Sequence, residues 1–157
     1  MTSPEQAFLA LTAEADKGLP TSEAIVAAAF AQLQPVDAAY LTKGAGEWKG
    51  HSFSTGHPAH EKLKELNWAG KKFRNKDDVD PIVVYDSEGK RVWSADWGHA
   101  QLREMSYEGK NTIAMVYDNF PIIDYFRFVT PDLVVGAMDS KIMRECGTYY
   151  FFLTRIG

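Results

Sequence analysis

The sequence is poor in the features that build disulfides and membrane spans. It contains one cysteine, Cys146, in 157 residues, so no internal disulfide can form. Its longest apolar stretch, residues 24–31, is rich in alanine and far shorter than the ~18 residues that a membrane-spanning helix requires. No charged start followed by a long apolar run marks a signal peptide. These absences predict a cytoplasmic protein that folds as one domain without a disulfide or a membrane span.

Positive charge is also scarce. The 17 Lys and Arg residues are outnumbered by 21 Asp and Glu residues, which gives a net charge of −4 at pH 7. Such a charge repels phosphate backbones, so we expect no nucleic-acid partner. The densest basic segment, residues 71–74 (Lys-Lys-Phe-Arg), is followed by Asp77 and Asp78. We interpret this segment as a solvated turn of mixed charge.

The motifs of several large enzyme classes are missing. No nucleophile elbow or phosphate-binding loop is present, and the spacing of Gly44, Gly46 and Gly50 does not fit a dinucleotide-binding loop. His57 and His60 are three residues apart and could face one metal, but a zinc site needs at least one further protein ligand. We therefore predict no metal site and no cofactor.

Aromatic residues are abundant, in contrast. Phe, Tyr and Trp make up 13% of the chain, with nine Phe, seven Tyr and four Trp. These side chains are large and rigid, and those of Tyr and Trp also carry a polar group. Either an aromatic core or an aromatic-lined pocket would use them.

The first third of the chain has helical signals. Ser3 and Pro4 begin a helix that is predicted to run to Lys17, and a second helix follows Ser22 and ends near Leu33. Together they form a helical hairpin over residues 1–35. After a first predicted strand at residues 48–53, a short third helix is expected over residues 58–67.

From residue 73 onward the hydrophobic period changes to two, which is typical of strands. Turn residues separate seven further strand candidates, at residues 79–85, 91–97, 101–107, 112–117, 122–129, 133–138 and 149–156. Eight short antiparallel strands can close into a barrel that is wide enough for one small ligand. The predicted fold is therefore mainly β (α+β): an antiparallel barrel of about eight strands over residues 36–157, preceded by the helical hairpin.

A glycine–tryptophan motif lies at the start of the first predicted strand. The run Gly44-Ala-Gly46-Glu-Trp48-Lys-Gly50 places an indole between glycines, where the backbone can bend sharply or approach another strand. Small calycin-type barrels carry such a Gly-x-Trp, with a basic side chain of the last strand over the indole. Arg155 is in the right place for this role, and the resulting cation–π contact would contribute roughly 1 kcal/mol.

Further motifs in order make the resemblance more specific. The first half resembles the GXWXG family, and the second half resembles its partner, the domain of unknown function 4334. The matching segments are Gly46-x-Trp48-x-Gly50, Thr55-Gly-His-Pro58, Trp68-x-Gly-Lys-Lys-Phe73, Val79-Asp-Pro81, Met115-Val-Tyr-Asp118, Pro121-Ile-Ile-Asp-Tyr-Phe-Arg127, Gly136-x-Met-Asp-x-Lys141 and Tyr150-Phe-Phe-Leu-x-Arg155. The resemblance implies a calycin- or lipocalin-like barrel and a hydrophobic small ligand, without a reaction. Residues 142–147 depart from the expected short loop.

Aspartates in apolar strands are the first candidates for chemistry. Asp124 shares a strand face with Ile122 and Phe126. A carboxylate on such a face must find hydrogen bonds, find a cation or become protonated. Lys141 and Arg127 are the nearest candidate partners in the sequence. Asp124 is therefore either part of a buried ion-pair network that fixes strand register or a cavity carboxylate with a raised pKa.

Two further residues complete the predicted catalytic set. His57 could act as an acid or base near neutral pH, or could simply cap the third helix. Tyr125 could supply a hydroxyl to a ligand carbonyl, or could belong to the core or the rim. With Asp124 they form the predicted catalytic set of Asp124, His57 and Tyr125. The predicted ligand-binding residues are Trp48, Phe53, Trp68, Trp97, Tyr117, Phe126, Met138 and Phe151.

Three functions are compatible with this sequence. The first is the binding of a small hydrophobic or aromatic metabolite in the barrel cavity. The second is a cofactor-independent enzyme, such as an isomerase, cyclase or hydrolase, in which an aspartate, His57 and a tyrosine transfer protons. The third, suggested by haem-binding barrels with a similar motif, is haem ligation by a histidine. The expected partner is a small hydrophobic molecule, and both a monomer and a homodimer stay open.

Overall fold

The computed structural model describes residues 2–157 and consists of one antiparallel sheet of nine strands with four helices. The helices are α1 (Pro4–Asp16), α2 (Glu23–Ala31), α3 (Ala38–Thr42) and α4 (Pro58–Glu65). The strands are β1 (Glu47–Ser52), β2 (Trp68–Asn75), β3 (Asp78–Tyr85), β4 (Arg91–Trp93), β5 (Ala100–Tyr107), β6 (Lys110–Tyr117), β7 (Ile122–Thr130), β8 (Leu133–Ser140) and β9 (Tyr149–Arg155). Two short 3₁₀ helices lie at Ala95–Trp97 and Arg144–Cys146.

Helices α1, α2 and α4 begin where the sequence predicts them to begin. The Ser3 side chain accepts a hydrogen bond from the Gln6 N–H and Ser22 accepts one from the Ile25 N–H, so both helices of the hairpin have an N-cap. His57 caps α4 in the same way, directly before Pro58. Within residues 2–157, none of these helices has the length and apolar character needed to cross a bilayer.

The sheet closes into a ring of eight strands. Neighbouring strands pair in the order β2-β1-β9-β8-β7-β6-β5-β3, and a further pairing between β2 and β3 completes the ring. β3 contacts β5 through a single pair, Val79 with Ala100, and the short β4 pairs with the other end of β3. The predicted antiparallel, calycin-like barrel with a helical hairpin and a short helix after the first strand is confirmed.

The sequence-based strands differ from the structure at two places. The segment predicted as a strand at residues 91–97 is a strand only up to Trp93, because residues 95–97 form a 3₁₀ helix. β2 was not predicted at all, and the interpretation of residues 71–74 as a solvated turn is wrong. These residues pair with β1 and β3, and the side chain of Lys71 is only 2% exposed.

The barrel has apolar side chains on both faces of its last strands. On β9, Tyr149 and Phe151 face the barrel interior, whereas Tyr150 and Phe152 face the helical hairpin. The outer cluster also contains Phe8, Phe30, Leu33, Phe53, Val129, Val135 and Ala137. This double burial explains why β8 and β9 are near-continuous apolar runs rather than alternating ones.

The glycine–tryptophan motif has the arrangement that its sequence predicts. The Trp48 indole N–H donates to the Leu41 carbonyl at 2.9 Å, and the Arg155 guanidinium carbon lies 4.3 Å from the indole centroid. Tyr40 packs against the same indole, with ring centroids 5.6 Å apart. The fully buried Trp48 therefore joins α3, the first strand and the last strand at one end of the barrel.

At Gly70 the backbone of β2 lies directly against the backbone of β1. A Cβ at this position would overlap the Trp48 carbonyl oxygen, and the φ angle of Gly70 is +138°. The pairing register of β2 with β3 shifts on both sides of Gly70. The resulting bulge changes the phase of the strand, so Trp68 and Lys71 both face the interior although they are three residues apart.

We expect Gly70→Ala to destabilise the protein by at least about 2 kcal/mol, because the new side chain adds both backbone strain and overlap with β1. Gly89→Ala is the matched control, since Gly89 also has a positive φ (+78°) but nothing lies within 4 Å of a Cβ there. It should cost only about 1–2 kcal/mol. Urea denaturation of both variants measures the difference, and equal losses would contradict the role of close strand approach.

Candidate functional site

A partly open cavity of about 360 Å³ occupies one end of the barrel interior. Its walls come from the inner faces of β2, β3, β6, β7, β8 and β9, from α4, and from the segments around Trp97 and Met143. The lining residues are Pro58, Ala59, Lys62, Leu63, Trp68, Lys71, Ile82, Trp97, Tyr117, Ile122, Asp124, Met138, Met143, Tyr149 and Phe151. Most of these side chains are aromatic or aliphatic, so the few polar atoms among them decide the chemistry of the cavity.

The central polar feature is an ion pair between Lys71 on β2 and Asp124 on β7. Lys71 Nζ lies 3.2 Å from Asp124 Oδ2, and each side chain is 2% exposed. Lys71 Nζ also donates to the Pro81 carbonyl at 2.9 Å. An ammonium group has three N–H donors, so one donor is not accounted for by these two contacts.

Asp124 has a free acceptor as well. Its Oδ1 atom is buried and has no hydrogen-bond partner among residues 2–157. Asp124 faces the interior because Ile122, Asp124 and Phe126 occupy alternate positions of β7. The pair therefore presents one donor and one acceptor to a cavity that is otherwise mainly apolar.

Burial shifts the pKa of both members of the pair towards the neutral form. Removal from water lowers the pKa of Lys71, and the neighbouring Asp124 carboxylate opposes this shift. Removal from water also raises the pKa of Asp124, and Lys71 opposes that shift. The energy required to move the proton from the ammonium to the carboxylate is therefore smaller in the cavity than in water.

Three aromatic rings surround the ammonium group. Lys71 Nζ lies 5.1 Å from the centroid of Phe151, 5.7 Å from that of Trp68 and 5.8 Å from that of Tyr117. These distances fall within the range of cation–π attraction, which compensates part of the lost hydration of the charge. Burial also raises the pKa of the Tyr117 hydroxyl well above its ordinary value, so Tyr117 enters the cavity as a neutral phenol.

A hydrogen-bonded chain leads from the cavity wall to a second, open cleft. The Tyr149 hydroxyl and the Ser52 Oγ atom are 2.6 Å apart, and Ser52 Oγ lies 2.6 Å from His60 Nδ1. Tyr149 lines the cavity, whereas Ser52 and His60 line the cleft between β1 and α4. This chain was not predicted, because Tyr149 lies 97 residues after Ser52 in the sequence.

The predicted catalytic residues occupy three different environments. Asp124 lies in the cavity wall. His57 is buried at the start of α4, where its Nδ1 atom accepts from the Ala59 N–H and its ring packs against Tyr149 with centroids 5.5 Å apart. Tyr125 faces outward and stacks on Tyr107, with ring centroids 4.2 Å apart. The structure does not bring the three side chains together.

Five of the eight predicted ligand-binding residues line the cavity: Trp68, Trp97, Tyr117, Met138 and Phe151. The other three are buried elsewhere. Trp48 lies beneath Arg155, Phe53 packs against Phe8 and Phe152 in the outer cluster, and Phe126 packs between Phe73 and Phe151 in the barrel core.

The expected partners of Asp124 were wrong. Arg127 lies on the outer face of β7, where it donates to the carbonyls of Phe30 and Tyr107 and so connects the hairpin to the barrel. Lys141 is exposed. The true partner, Lys71, is 53 residues earlier in the chain, and its only sequence signal is a position two residues before the apolar Phe73.

Another polar cluster lies on the outside of β3. Side-chain ligand atoms of Asp78, Asp80 and His99 come within 4.8 Å of one another. The Arg74 guanidinium binds both carboxylates, with N–O distances of 3.0 Å to Asp78 and 2.5–2.9 Å to Asp80. Because Arg74 already supplies the positive charge, the cluster is a surface ion-pair network.

Replacing Lys71 by methionine should destabilise the protein by about 3–5 kcal/mol, because it leaves the Asp124 carboxylate buried without a cation. The double variant Lys71→Met/Asp124→Leu should recover most of this loss, since neither charge remains. Urea denaturation measures the free energy of unfolding of the single and the double variant. Lys72→Met is the control, because the Lys72–Glu47 pair is partly exposed and should contribute less than about 1 kcal/mol. A double variant as unstable as Lys71→Met would contradict this account.

The unfolding free energy should fall below pH 6.5 partly because of His57. Burial lowers the pKa of His57 below its ordinary value of 6.5, with Glu23 opposing the shift. The unfolded chain therefore binds a proton that the folded protein does not, and stability decreases as the pH falls through this window. His57→Asn keeps an N-cap acceptor and should lose less stability between pH 7.5 and pH 5 than the wild type. His51, whose pKa burial also lowers, titrates in both proteins and cancels in the comparison.

Comparisons with known proteins agree with this architecture. Residues 28–89 match the family model described as GXWXG protein, and residues 98–155 match the model described as Domain of unknown function (DUF4334). A crystal structure of a protein from Thermomonospora curvata superimposes with a TM-score of 0.88 at 34% sequence identity, and the match covers 98% of this chain and 99% of that one. No curated protein matches significantly. The chain thus belongs to the GXWXG protein family, in which the GXWXG segment is followed by the domain DUF4334.

Proposed function

We propose that this protein binds a small, largely apolar molecule inside its barrel and orients it through the Lys71–Asp124 pair. The observation that carries the proposal is Asp124 Oδ1, a buried oxygen without a hydrogen-bond partner among residues 2–157, in the wall of a mainly apolar cavity. Buried polar atoms in folded proteins are nearly always hydrogen-bonded. A hydroxyl group of the ligand would donate to this oxygen.

The dimensions of the cavity support a small ligand. Its volume of about 360 Å³ is at the lower end of the range of ~300–1,000 Å³ that is usual for ligand pockets. Lys62 on α4 is exposed and also lines the cavity, which places the opening to solvent beside α4. A molecule of one or two rings would fill this space and contact Trp68, Trp97 and Phe151.

The electrostatics favour a neutral ligand. Lys71 and Asp124 compensate each other, so an added charge would be buried without a counter-ion at a high cost in free energy. A neutral hydroxyl group, by contrast, could donate to Asp124 Oδ1 and accept the remaining N–H of Lys71. The ligand is therefore expected to be an alcohol, a phenol or another neutral molecule with one polar end.

Acid–base catalysis in the same cavity is a second candidate function. The observation that favours it is the shift of both the Lys71 and the Asp124 pKa towards the neutral forms, since a pair of this kind can exchange a proton. An isomerase or cyclase would use Asp124 as acid or base. His57, packed behind Tyr149, would act on Tyr149 rather than on the substrate. In a turnover assay on metabolite extracts, Asp124→Asn should abolish conversion, while the apolar walls still capture the ligand with lower affinity.

The binding proposal predicts that 2-naphthol binds more tightly than naphthalene. A hydrogen bond to a charged group contributes about 1.5–3 kcal/mol, so the dissociation constants should differ by roughly 10- to 100-fold. Because Trp68 and Trp97 line the cavity, quenching of tryptophan fluorescence reports the binding of both compounds. In the Lys71→Met/Asp124→Leu variant the preference for 2-naphthol should disappear while naphthalene still binds.

Two controls locate the binding site. Trp93 is 40% exposed and does not line the cavity, so Trp93→Phe should leave the quenching by 2-naphthol unchanged. Met138→Trp places a larger side chain in the cavity wall and should weaken the binding of both compounds. If 2-naphthol fails to bind the wild type, or binds the Met138→Trp variant equally well, the proposal is wrong.

A further inference from the structure

The position of Lys71 gives it a chemical capacity that an exposed lysine lacks. Its Nζ atom ends in an apolar cavity, and the only carboxylate in the cavity wall, among residues 2–157, is 3.2 Å away. We infer that Lys71 is a carbonyl-reactive amine that forms an imine with an apolar aldehyde or ketone held in the cavity. This inference rests on the proposed function, because the carbonyl compound must first enter the same space.

The geometry supplies what imine formation requires. The amine must lose a proton before it can attack, and Asp124 is within hydrogen-bond reach to take it. Desolvation of the amine in a hydrophobic pocket is a recognised way of activating a lysine nucleophile. The lowered pKa of Lys71 and the raised pKa of Asp124 act in the same direction.

The reaction balances without an oxidant, a reductant or a cofactor. Lys71 transfers a proton to Asp124, and the nitrogen lone pair then forms a bond to the carbonyl carbon while the carbonyl electron pair moves to oxygen. Transfer of a proton from nitrogen to that oxygen yields a neutral carbinolamine. Asp124 returns its proton to the hydroxyl group, the carbon–oxygen bond breaks, and water leaves. The products are a protonated imine on Lys71 and the Asp124 carboxylate.

The cavity would also stabilise this product. The protonated imine keeps the positive charge where the ammonium was, so Asp124 remains its counter-ion. The rings of Phe151, Trp68 and Tyr117, at 5.1–5.8 Å from Nζ, would continue to face the cation. In the preceding step, the hydroxyl group of the carbinolamine would be the hydrogen-bond partner that Asp124 Oδ1 lacks.

The test uses 4-(dimethylamino)cinnamaldehyde, an apolar aldehyde whose protonated imine absorbs at a longer wavelength than the free aldehyde. The wild-type protein should develop this long-wavelength band at pH 7.5. Sodium cyanoborohydride should then convert the imine to a stable secondary amine, which increases the protein mass by the mass of the aldehyde minus one oxygen atom. Peptide mapping should place a single modification on Lys71.

Variants make the test specific. Lys72 is the sequence neighbour of Lys71 but pairs with Glu47 outside the cavity, so Lys72→Met should be labelled like the wild type. Lys71→Met/Asp124→Leu should show neither the band nor the added mass, and its circular dichroism reports whether it is folded. Asp124→Asn keeps the lysine but removes the acid that protonates the departing hydroxyl group, so labelling should be at least ten-fold slower.

The outcomes separate this inference from the binding proposal. Labelling spread over exposed lysines, or equal labelling of the wild type and the double variant, would overturn the inference. If 2-naphthol quenches Trp68 and Trp97 but no imine can be trapped, the cavity binds ligands and Lys71 is unreactive. If neither 2-naphthol nor the aldehyde binds, both proposals fail.

Discussion

Closure of the sheet at the β1–β2 contact is the constraint on which the cavity depends. β1 pairs with β9 on one side and with β2 on the other, so the ring is complete only if β2 can approach β1 closely. Gly70 permits this approach, because any Cβ there would overlap the backbone of Trp48. The same contact positions Trp48 under Arg155, which connects the first and the last strand. Without this closure, the inner faces of β7, β8 and β9 would lose their cover.

The buried pair of Lys71 and Asp124 supports the proposed binding function, because stability alone does not explain it. Two charges in an apolar interior lose hydration energy that their mutual attraction rarely exceeds, and apolar replacements of similar volume are often neutral or stabilising. The pair also leaves Asp124 Oδ1 without a partner among residues 2–157. A protein that needed only a stable core could fill this space with leucine and methionine. The stability that the buried pair costs is consistent with the proposal that the pair forms hydrogen bonds with a polar group of a ligand.

Much of the fold was predictable because local rules determine it. The caps at Ser3 and Ser22, the short apolar segments of β6 to β9, and the turns between them involve residues that are close in the sequence. The link between Trp48 and Arg155 was predictable for another reason, since it follows a motif of similar barrels. Five of the residues predicted to bind a ligand line the cavity. Three of them, Tyr117, Met138 and Phe151, lie on inner faces of predicted strands, where large side chains contact the barrel interior.

The sequence by itself determined a barrel with a helical hairpin, an aromatic interior and a carboxylate, Asp124, on an inner strand face. Only the tertiary structure decided which cation faces Asp124. The bulge at Gly70 shifts the phase of β2, so a lysine in a charged segment turns inward while its neighbour Lys72 pairs with Glu47 at the surface. The physical reason is that the phase of a strand and its long-range contacts depend on the closed ring. Only the closed ring brings Lys71 and Asp124, which are 53 positions apart in the sequence, into contact.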